Sequence, residues 1–285
     1  MVRAYPFATG IVDWDVLIRV FTTFAPTVVF AAPGVFMQLT QLVKRRHILQ
    51  DLRSSVDKIM FLGEVSTPAL RSMLGNHWDA RVYDASYGST ESGTLATTCL
   101  QDHLHTLPSA NLIEVEVDGK VLPMEEGMIG ALIVTPLNAD ARPVLRLEMG
   151  DEVEVIACPC DRDSLAVRVL GRTTDKVTIK RANIDTYGLE SVVYESTRAL
   201  GYMVEMTSDG DDARLLLERD PDACRSYEQD QIEAFQLSCS DHWGLVWNHV
   251  KFVNDLPMTT RAGGSIKSWK RTYVSVVPAE IVAGW

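Results

Sequence analysis

The sequence predicts an α/β fold, in which a parallel β-sheet is followed by an antiparallel or barrel-like segment and then by a small α+β domain. Three observations support this prediction. Short apolar strands alternate with helical patterns up to about residue 90, strands follow one another directly from residue 111, and a β-α-β-β-α-β order begins after Gly171. Alternation of strands and helices is typical of a buried parallel sheet, and the last order is typical of a compact α+β unit.

The first part of the chain carries helical patterns at residues 15–24, 35–43 and 67–78, and apolar strands at residues 27–31, 58–62 and 81–84. Ligands of such sheets bind beyond the carboxyl ends of the strands. We therefore expect Ala32-Pro33, Gly63-Glu64 and the segment from Tyr87 to Glu91 to lie together at one edge.

The middle of the chain predicts strands at residues 111–118, 129–135, 144–147, 152–156 and 165–170. The last part predicts helices at residues 188–200 and 226–242, and strands at residues 176–180, 202–208, 213–218 and 249–253. We expect two domains, residues 1–172 and residues 175–285, with a hinge near Thr174.

Composition and net charge limit the classes of function and the cellular locations expected for the chain. The net charge of −11 argues against binding to nucleic acid or to an anionic membrane as the main activity, because both need clustered Lys and Arg. No apolar run is long enough to span a bilayer, and the first residues do not resemble a signal peptide, so a cytoplasmic location is expected. Five cysteines favour free thiols or a metal site over a disulfide framework.

The segment Tyr87-Gly-Ser-Thr-Glu91 combines an aromatic ring, a glycine, two hydroxyls and a carboxylate. An aromatic face can stack on a base, hydroxyls can bind a phosphate, and a carboxylate can hold Mg²⁺. Further motifs follow in order: the Gly150-Asp151 pair, the Gly171-Arg172 pair and a glycine-rich loop at residues 259–267.

Taken together, these motifs resemble the adenylate-forming superfamily of acyl-CoA synthetases, adenylation domains and luciferases. Residues 28–33, 59–64 and 183–190 are similar to its phenylacetate-CoA ligase-like branch. The resemblance covers nearly the whole chain. It implies two reactions, in which a carboxylate first attacks the α-phosphorus of ATP to give acyl-AMP and release pyrophosphate. A thiol of coenzyme A or of a carrier protein then takes the acyl group. An aryl or related carboxylic acid is the implied substrate.

The resemblance also implies roles for individual residues. Thr90 would contact the α-phosphate, Glu91 would hold Mg²⁺, and Tyr87 would stack on adenine. Asp151 would accept hydrogen bonds from the ribose, and Thr174 falls at the family's hinge. The implied nucleotide-binding set is Gly63, Glu64, Tyr87, Gly88, Asp151 and Arg172.

The chain departs from the family at three points. The family's phosphate loop lies upstream of the Pro33 motif and is not found here, so either a complementary N-terminal subunit supplies it, or the chain is a fragment, or nucleotide activation has been lost. A homodimer is the other partner expected. Ser265 stands where the family has a lysine, which leaves Lys267 as the candidate catalytic cation, and Arg181 replaces a glycine. A non-catalytic relative, or an acyltransferase that uses a pre-activated acyl group, is therefore the alternative function.

A metal site is predicted from cysteine and histidine spacing. Cys158-Pro-Cys160 supplies two thiols, and Cys99 with His105 supplies a third thiol and an imidazole, which suits tetrahedral Zn²⁺. His103 is the competing imidazole. Part of the phenylacetate-CoA ligase-like branch carries a similar Cys-Pro-Cys. Reduced cysteines in a surface loop are the alternative.

Overall fold

The structure is a computed structural model that describes residues 13–138, 143–174, 176–257 and 274–283. Its first part alternates helices and strands, as predicted. The elements are α1 (Trp14–Phe24), β1 (Val28–Ala31), α2 (Pro33–Arg45), α3 (Leu49–Arg53), β2 (Lys58–Phe61), α4 (Pro68–Trp78) and β3 (Arg81–Asp84). The three strands form a parallel sheet in the order β1-β2-β3, with Ala31, Phe61 and Asp84 in one row. The predicted parallel sheet is confirmed.

Local chemistry explains where these helices begin. The carboxylate of Asp13 accepts hydrogen bonds from the amides of Asp15 and Val16 and so caps α1. Thr67 caps α4 through its hydroxyl, and Pro68 occupies the first helical position, where no amide hydrogen bond is lost. Pro33 begins α2 in the same way.

The middle of the chain forms an antiparallel sheet of eight strands. Its strands are β4 (Ser86–Ser89), β5 (Gly93–Thr98), β6 (Leu104–Thr106), β7 (Asn111–Val117), β8 (Lys120–Pro123), β9 (Ile129–Pro136), β10 (Leu147–Ile156) and β11 (Ala166–Arg172). They are ordered β4-β5-β6-β11-β10-β9-β7-β8, so β4 and β8 are the edges.

The prediction of two strands at residues 144–147 and 152–156 is wrong. One strand, β10, runs from Leu147 to Ile156, and its register shifts between Glu148 and Glu152 on the β9 side. Gly150 lies inside that irregular stretch with a φ of 71°. The turn-like sequence around Gly150 therefore marks a bulge within a strand, and not the end of one.

The last part of the chain forms the predicted α+β unit. It contains β12 (Val177–Ile179), β13 (Ala182–Ile184), α5 (Thr186–Ser196), β14 (Gly201–Met206), β15 (Ala213–Glu218), α6 (Glu228–Trp243), β16 (His249–Val253), β17 (Val274–Val276) and α7 (Ala279–Ala283). A four-stranded sheet has the order β16-β15-β14-β17. We call the described residues from 177 onwards the C-terminal lobe.

Two hydrophobic cores hold the described residues together. The smaller core lies in the eight-stranded sheet and includes Leu95, Val115 and Val153. The larger core joins side chains of α2, α4 and the parallel sheet, such as Phe61, to side chains of the C-terminal lobe, such as Val193. The larger core thus crosses the boundary expected near Thr174, and the two-domain division stays a prediction.

None of the helices within the described ranges combines the length and the apolar character that crossing a bilayer requires.

Asp84 ends β3 and is a half-buried ionisable group, with a side chain that is 22% exposed. Its Oδ2 lies 2.9 Å from Nη1 of Arg71, and its Oδ1 accepts a hydrogen bond of 2.6 Å from the Ser66 hydroxyl. Burial outweighs both partners and raises the pKa of Asp84 to about 6, above the ordinary value of 3.8. The folded protein therefore retains a proton that the unfolded chain releases at lower pH.

We expect Asp84→Asn to change the pH dependence of stability. The stabilising contribution of the raised pKa is complete below pH 3.8 and is lost as the pH rises through about 6. The asparagine does not ionise and lacks this pH dependence. As the pH rises from 3.8 to about 6, the free energy of unfolding of the variant relative to that of the wild type should therefore increase by about 2–3 kcal/mol. Urea unfolding at several pH values in this range measures the difference, and a difference that does not change with pH would contradict the prediction.

Candidate active site

The loops that follow the three parallel strands lie at one edge of the sheet. The amide of Leu62 donates to the carbonyl of Ala31 over 3.2 Å, and the amide of Ala85 donates to the carbonyl of Phe61 over 2.7 Å. These bonds extend the parallel register beyond the strand ends. The segments that begin at Ala32, Gly63 and Ser86 therefore leave the sheet side by side.

Tyr87, Asp151 and Arg172 form one hydrogen-bonded cluster. The phenol of Tyr87 donates to Oδ2 of Asp151 over 2.6 Å, and Nε of Arg172 lies 3.1 Å from Oδ1 of Asp151. Asp151 and Arg172 face each other in the antiparallel pairing of β10 and β11. Residues that lie 64 positions apart in sequence, Tyr87 and Asp151, are thus in direct contact.

The β10 bulge gives this cluster its shape. Nη1 of Arg172 donates to the carbonyl of Met149 over 2.6 Å. A Cβ atom on Gly150 would lie 3.1 Å from the same Nη1, and the φ of 71° would strain any other residue. Glycine therefore lets the Arg172 guanidinium lie across the bulge while its Nε binds Asp151.

Close approach of two strands explains the glycine of the tyrosine motif. A Cβ atom on Gly88 would lie 2.0 Å from the carbonyl oxygen of Gly93 in β5. Any larger residue would push β4 away from β5. Gly88 therefore fixes the position of Tyr87 on the edge strand.

The environment of Tyr87 favours its neutral form. Burial is the largest cause, and the negative charge and hydrogen bond of Asp151 act in the same direction, so the pKa of Tyr87 is raised well above its usual range. The phenol is consequently a permanent donor to Asp151 at neutral pH. Asp151 is itself 9% exposed, and Arg172 is exposed to solvent.

None of the hydrogen bonds given for the described residues joins Thr90, Glu91 or Glu64 to this cluster. Thr90 and Glu91 are exposed in the turn between β4 and β5. Gly63 and Glu64 follow β2, and the Glu64 carboxylate accepts a 3.2 Å hydrogen bond from the Gly34 amide at the start of α2. Lys267 and Ser265 lie outside the described residues.

Arg181 occupies a backbone conformation that suits glycine. It lies in the turn between β12 and β13 with a φ of 74°, and Lys180 before it has a φ of 48°. Left-handed conformations are uncommon for side chains of this size. A glycine would adopt the backbone conformation of Arg181 without this strain.

Four of the predicted metal ligands converge. Ligand atoms of Cys99, His105, Cys158 and Cys160 all lie within 4.8 Å of one another. Sγ of Cys99 is 3.7 Å from Sγ of Cys158, and Sγ of Cys160 is 3.2 Å from Nε2 of His105. The alternative imidazole, His103, is not in this group.

The geometry suits a tetrahedral metal site. With Zn–S bonds of about 2.3 Å, two sulfur ligands of a tetrahedral ion lie roughly 3.8 Å apart. The observed 3.7 Å between Cys99 and Cys158 matches this spacing and is far too long for a disulfide. Nδ1 of His105 lies 2.7 Å from the carbonyl oxygen of Ser164, which selects the tautomer whose Nε2 is free to bind a metal.

No protein-family model matches the chain, but known proteins are similar to it in sequence or in structure. The phenylacetate-coenzyme A ligase of Thermus thermophilus is 24% identical over 223 residues, which are 75% of this chain and 49% of that protein. A structure of 2-hydroxyisobutyryl-CoA ligase, in the postadenylation state with R3-HIB-AMP, superimposes with a TM-score of 0.78 at 18% identity. It covers 95% of this chain and 58% of that chain.

This chain has the fold of the adenylate-forming ligases. The resemblance expected from the sequence motifs is confirmed at the level of the fold. The chain spans about half the length of the ligases that it matches. An open conformation of the same 2-hydroxyisobutyryl-CoA ligase, with 2-HIB-AMP and CoA, gives a lower TM-score of 0.55 at the same 18% identity, covering 95% of this chain and 60% of that chain.

The sequence did not predict two contacts of the site. One is the hydrogen bond from Tyr87 to Asp151, and the other is the carbonyl of Ser164 behind His105. Each depends on how separate strands are placed side by side. The sequence indicated the first contact in part, because Tyr87 and Asp151 were both expected to bind the same nucleotide. It could not indicate the second, because every residue has a backbone carbonyl and residue type does not distinguish that of Ser164.

Removal of the Tyr87 hydroxyl should destabilise the protein. Tyr87→Phe leaves one oxygen of the buried Asp151 without its tyrosine donor, so we expect the free energy of unfolding to fall by about 1–3 kcal/mol. Tyr83→Phe is the matched control, because Tyr83 is similarly half-buried and no hydrogen bond of its phenol is described. Urea unfolding compares the two variants. Equal losses would contradict the contribution assigned to the Tyr87–Asp151 bond.

Proposed function

We propose that this chain is the nucleotide-binding and lid-bearing part of an adenylate-forming ligase, which activates a carboxylic acid with ATP and passes the acyl group to a thiol. The cluster of Tyr87, Asp151 and Arg172 carries the proposal, because its three members come from three strands and meet beside the loops of the parallel sheet. An aryl or related acid is the substrate class, in line with the phenylacetate ligase that the chain resembles.

In this proposal the described residues bind and orient the nucleotide. The Tyr87 ring offers a face to adenine while its hydroxyl holds the Asp151 carboxylate in place for the ribose hydroxyls. Arg172, which is anchored by Asp151 and Met149, brings positive charge to the phosphates. Positioning and neutralisation of charge are what this reaction needs most from the protein.

Mg²⁺ has one candidate ligand among the described residues. Glu91 is exposed at the tip of the β4–β5 turn, next to Thr90, and carboxylate oxygens are the protein ligands that Mg²⁺ prefers. When bound to ATP, the ion would neutralise phosphate charge. Thr90 and Glu91 would then orient the α-phosphate from this turn.

We propose that the cysteine–histidine cluster holds a structural Zn²⁺. Cys99 and His105 come from the β5–β6 hairpin, and Cys158 and Cys160 come from the connection between β10 and β11. A closed set of four protein ligands leaves no position for substrate and is typical of structural zinc. The site would fasten the two connections together, and its reduced thiolates fit the expected cytoplasmic location.

The proposal also assigns a binding surface for a partner, which is the exposed apolar face of the parallel sheet. Phe30, Met60 and Tyr83 form a row across the parallel sheet, on the face opposite to the buried Ile59 and Phe61. Phe30 is 56% exposed, and the other two side chains of the row are half-buried. Val28 on the edge strand is 49% exposed on the same face. Parallel sheets are normally covered on both faces. We propose that the complementary half of the ligase fold covers this face and brings the phosphate loop.

The docked position of the C-terminal lobe is part of the proposal. The chain superimposes better on the postadenylation form of 2-hydroxyisobutyryl-CoA ligase than on its open form, with TM-scores of 0.78 and 0.55. We assign the lobe position to a postadenylation-like arrangement. Thioester formation would then require the lobe to turn about the connection near Thr174.

A second candidate rests on Ser265, which stands in the alignment where the family has its lysine. A serine cannot supply the missing cation. In this case the chain binds AMP or an acyl group without forming the adenylate, or transfers an acyl group that another enzyme has activated.

Calorimetry with AMP tests the nucleotide site. We expect AMP to bind the chain, and Asp151→Asn to weaken the affinity by about 10- to 100-fold, because a ribose hydroxyl loses a charged acceptor. Asp118→Asn, on the exposed β7–β8 turn, is the charge-matched control and should leave the affinity unchanged. An equal effect of both substitutions would remove the assignment of this site.

Pyrophosphate exchange separates the two candidate functions. Exchange of labelled pyrophosphate into ATP is measured with the chain alone and again after a second protein is added. The second protein is the product of the reading frame next to the gene for this chain, which is the candidate for the complementary subunit with the phosphate loop. Exchange that appears on adding the second protein supports the ligase with a complementary subunit. AMP binding without exchange in either mixture favours the second candidate. Transfer from synthetic acyl-AMP or acyl-CoA then identifies an acyltransferase.

Metal analysis tests the zinc site. We expect about one Zn²⁺ per purified chain, and at least a fivefold lower zinc content in Cys160→Ser, because a tetrahedral site loses one of its four ligands. Cys224→Ser, which changes an exposed thiol outside the cluster, is the control and should keep its zinc. Zinc-free wild-type protein that is as stable with a chelator as without one would contradict the proposal.

A further inference from the structure

A cluster of charged and polar side chains joins α2 to the C-terminal lobe. On α2 the members are Gln41, Lys44 and Arg45, whose spacing of three and four residues puts them on one face of the helix. On the lobe the members are Glu218, Asp220 and Asp222, which alternate along the chain where β15 ends. The set is completed by His77 of α4 and by Asp255.

The centre of the cluster is a buried ion pair. Nζ of Lys44 lies 2.9 Å from Oδ1 of Asp220, and the two side chains are only 5% and 8% exposed. The same Nζ is 2.9 Å from Oδ2 of the exposed Asp222. Nε2 of His77 lies 3.9 Å from Oδ2 of Asp220. Separation of the lobes would leave Lys44 and Asp220 without these partners.

A second group of contacts lies at the rim of the cluster. Arg45 pairs with the buried Glu218 and also with Asp255, whose Oδ1 is 2.8 Å from Nη1 of Arg45. Nε2 of Gln41 donates to Oε2 of Glu218 over 2.7 Å and to the carbonyl of Leu200 over 3.1 Å. The lobe therefore meets one face of α2 through directional contacts, in addition to the shared hydrophobic core.

We propose that this cluster, which we name the α2 latch, holds the C-terminal lobe docked in the arrangement described, and that the lobe leaves α2 only when the latch is broken. Charge is distributed between the two sides in a way that supports this role. The cations lie on α2 and the four carboxylates lie on the lobe, so no member is fully compensated by its own side. In the docked arrangement Lys44, Asp220 and Glu218 are shielded from water, so a substitution that removes one charge leaves its partner buried and uncompensated. The partner regains water only when the lobe undocks, and the substitution therefore favours undocking.

The structure provides a reporter of docking. The amide of Thr67, at the start of α4, donates to Oε1 of Glu190 in the C-terminal lobe over 3.1 Å, and Thr67 is fully buried. As the capping residue of α4, Thr67 has no partner for this amide within the helix. Hydrogen–deuterium exchange at this amide therefore follows the separation of the lobe from the rest of the chain.

α2 also supplies a matched pair of variants. Arg45 and Arg46 are neighbours with equally exposed side chains, at 43% each. Arg45 binds the lobe, whereas Arg46 binds Asp15 of α1 over 2.5 Å, on its own side of the interface. Arg45→Met should speed exchange at Thr67 by about fivefold, and Arg46→Met should leave it within twofold of the wild type.

Lys44→Met should have a larger effect, at least about tenfold, because it leaves Asp220 buried without its cation. Exchange in β9, within the other core, reports global unfolding and should not change in Arg45→Met. The proposal is overturned if Arg45→Met and Arg46→Met give the same rate at Thr67, or if β9 accelerates in parallel with Thr67. If Lys44→Met does not fold, the comparison of Arg45→Met with Arg46→Met still tests whether the α2 latch holds the lobe docked. All measurements are made without nucleotide, so their outcome is independent of the proposed activity.

Discussion

The antiparallel pairing of β10 with β11 is the constraint on which both candidate sites depend. At one end of this hairpin the register sets Asp151 opposite Arg172, and Tyr87 reaches Asp151 from β4. At the other end the connection between the strands carries Cys158 and Cys160 towards His105, which pairs with Ala166 of β11 through β6. A slip of one residue between β10 and β11 would place Asp151 and Arg172 on opposite faces of the sheet and separate them.

This arrangement gives the proposed metal a mechanical role. The cysteine–histidine cluster lies beyond Ile156, which ends β10 five residues after Asp151. It joins the β10–β11 connection to the β5–β6 hairpin, and β5 in turn pairs with β4, which carries Tyr87. A metal there would fix the spacing of the strands that present Tyr87 and Asp151. Strand pairing thus connects the proposed zinc site to the cluster of Tyr87, Asp151 and Arg172.

The C-terminal lobe depends on a different kind of contact. It shares a buried core with α2 and α4, and it also meets α2 through Lys44, Arg45 and their carboxylate partners. Hydrophobic burial is not directional, so it stabilises docking without fixing one orientation. Ion pairs and hydrogen bonds do depend on direction, and the lobe movement proposed above would have to break them.

The sequence by itself determined the order and type of most elements, because hydrophobic periodicity and turn residues act over short stretches of chain. It also indicated the motif residues Tyr87, Asp151 and Arg172, and the four clustered cysteine and histidine residues, because residue type and spacing carry their chemistry. Only the tertiary structure decided that residues 144–156 contain one bulged strand, that His105 and not His103 lies with the thiols, and that Lys44 of α2 forms an ion pair with the C-terminal lobe. Those outcomes depend on which distant strands and helices become neighbours. That choice is made by packing and register across the whole chain, which no local pattern records.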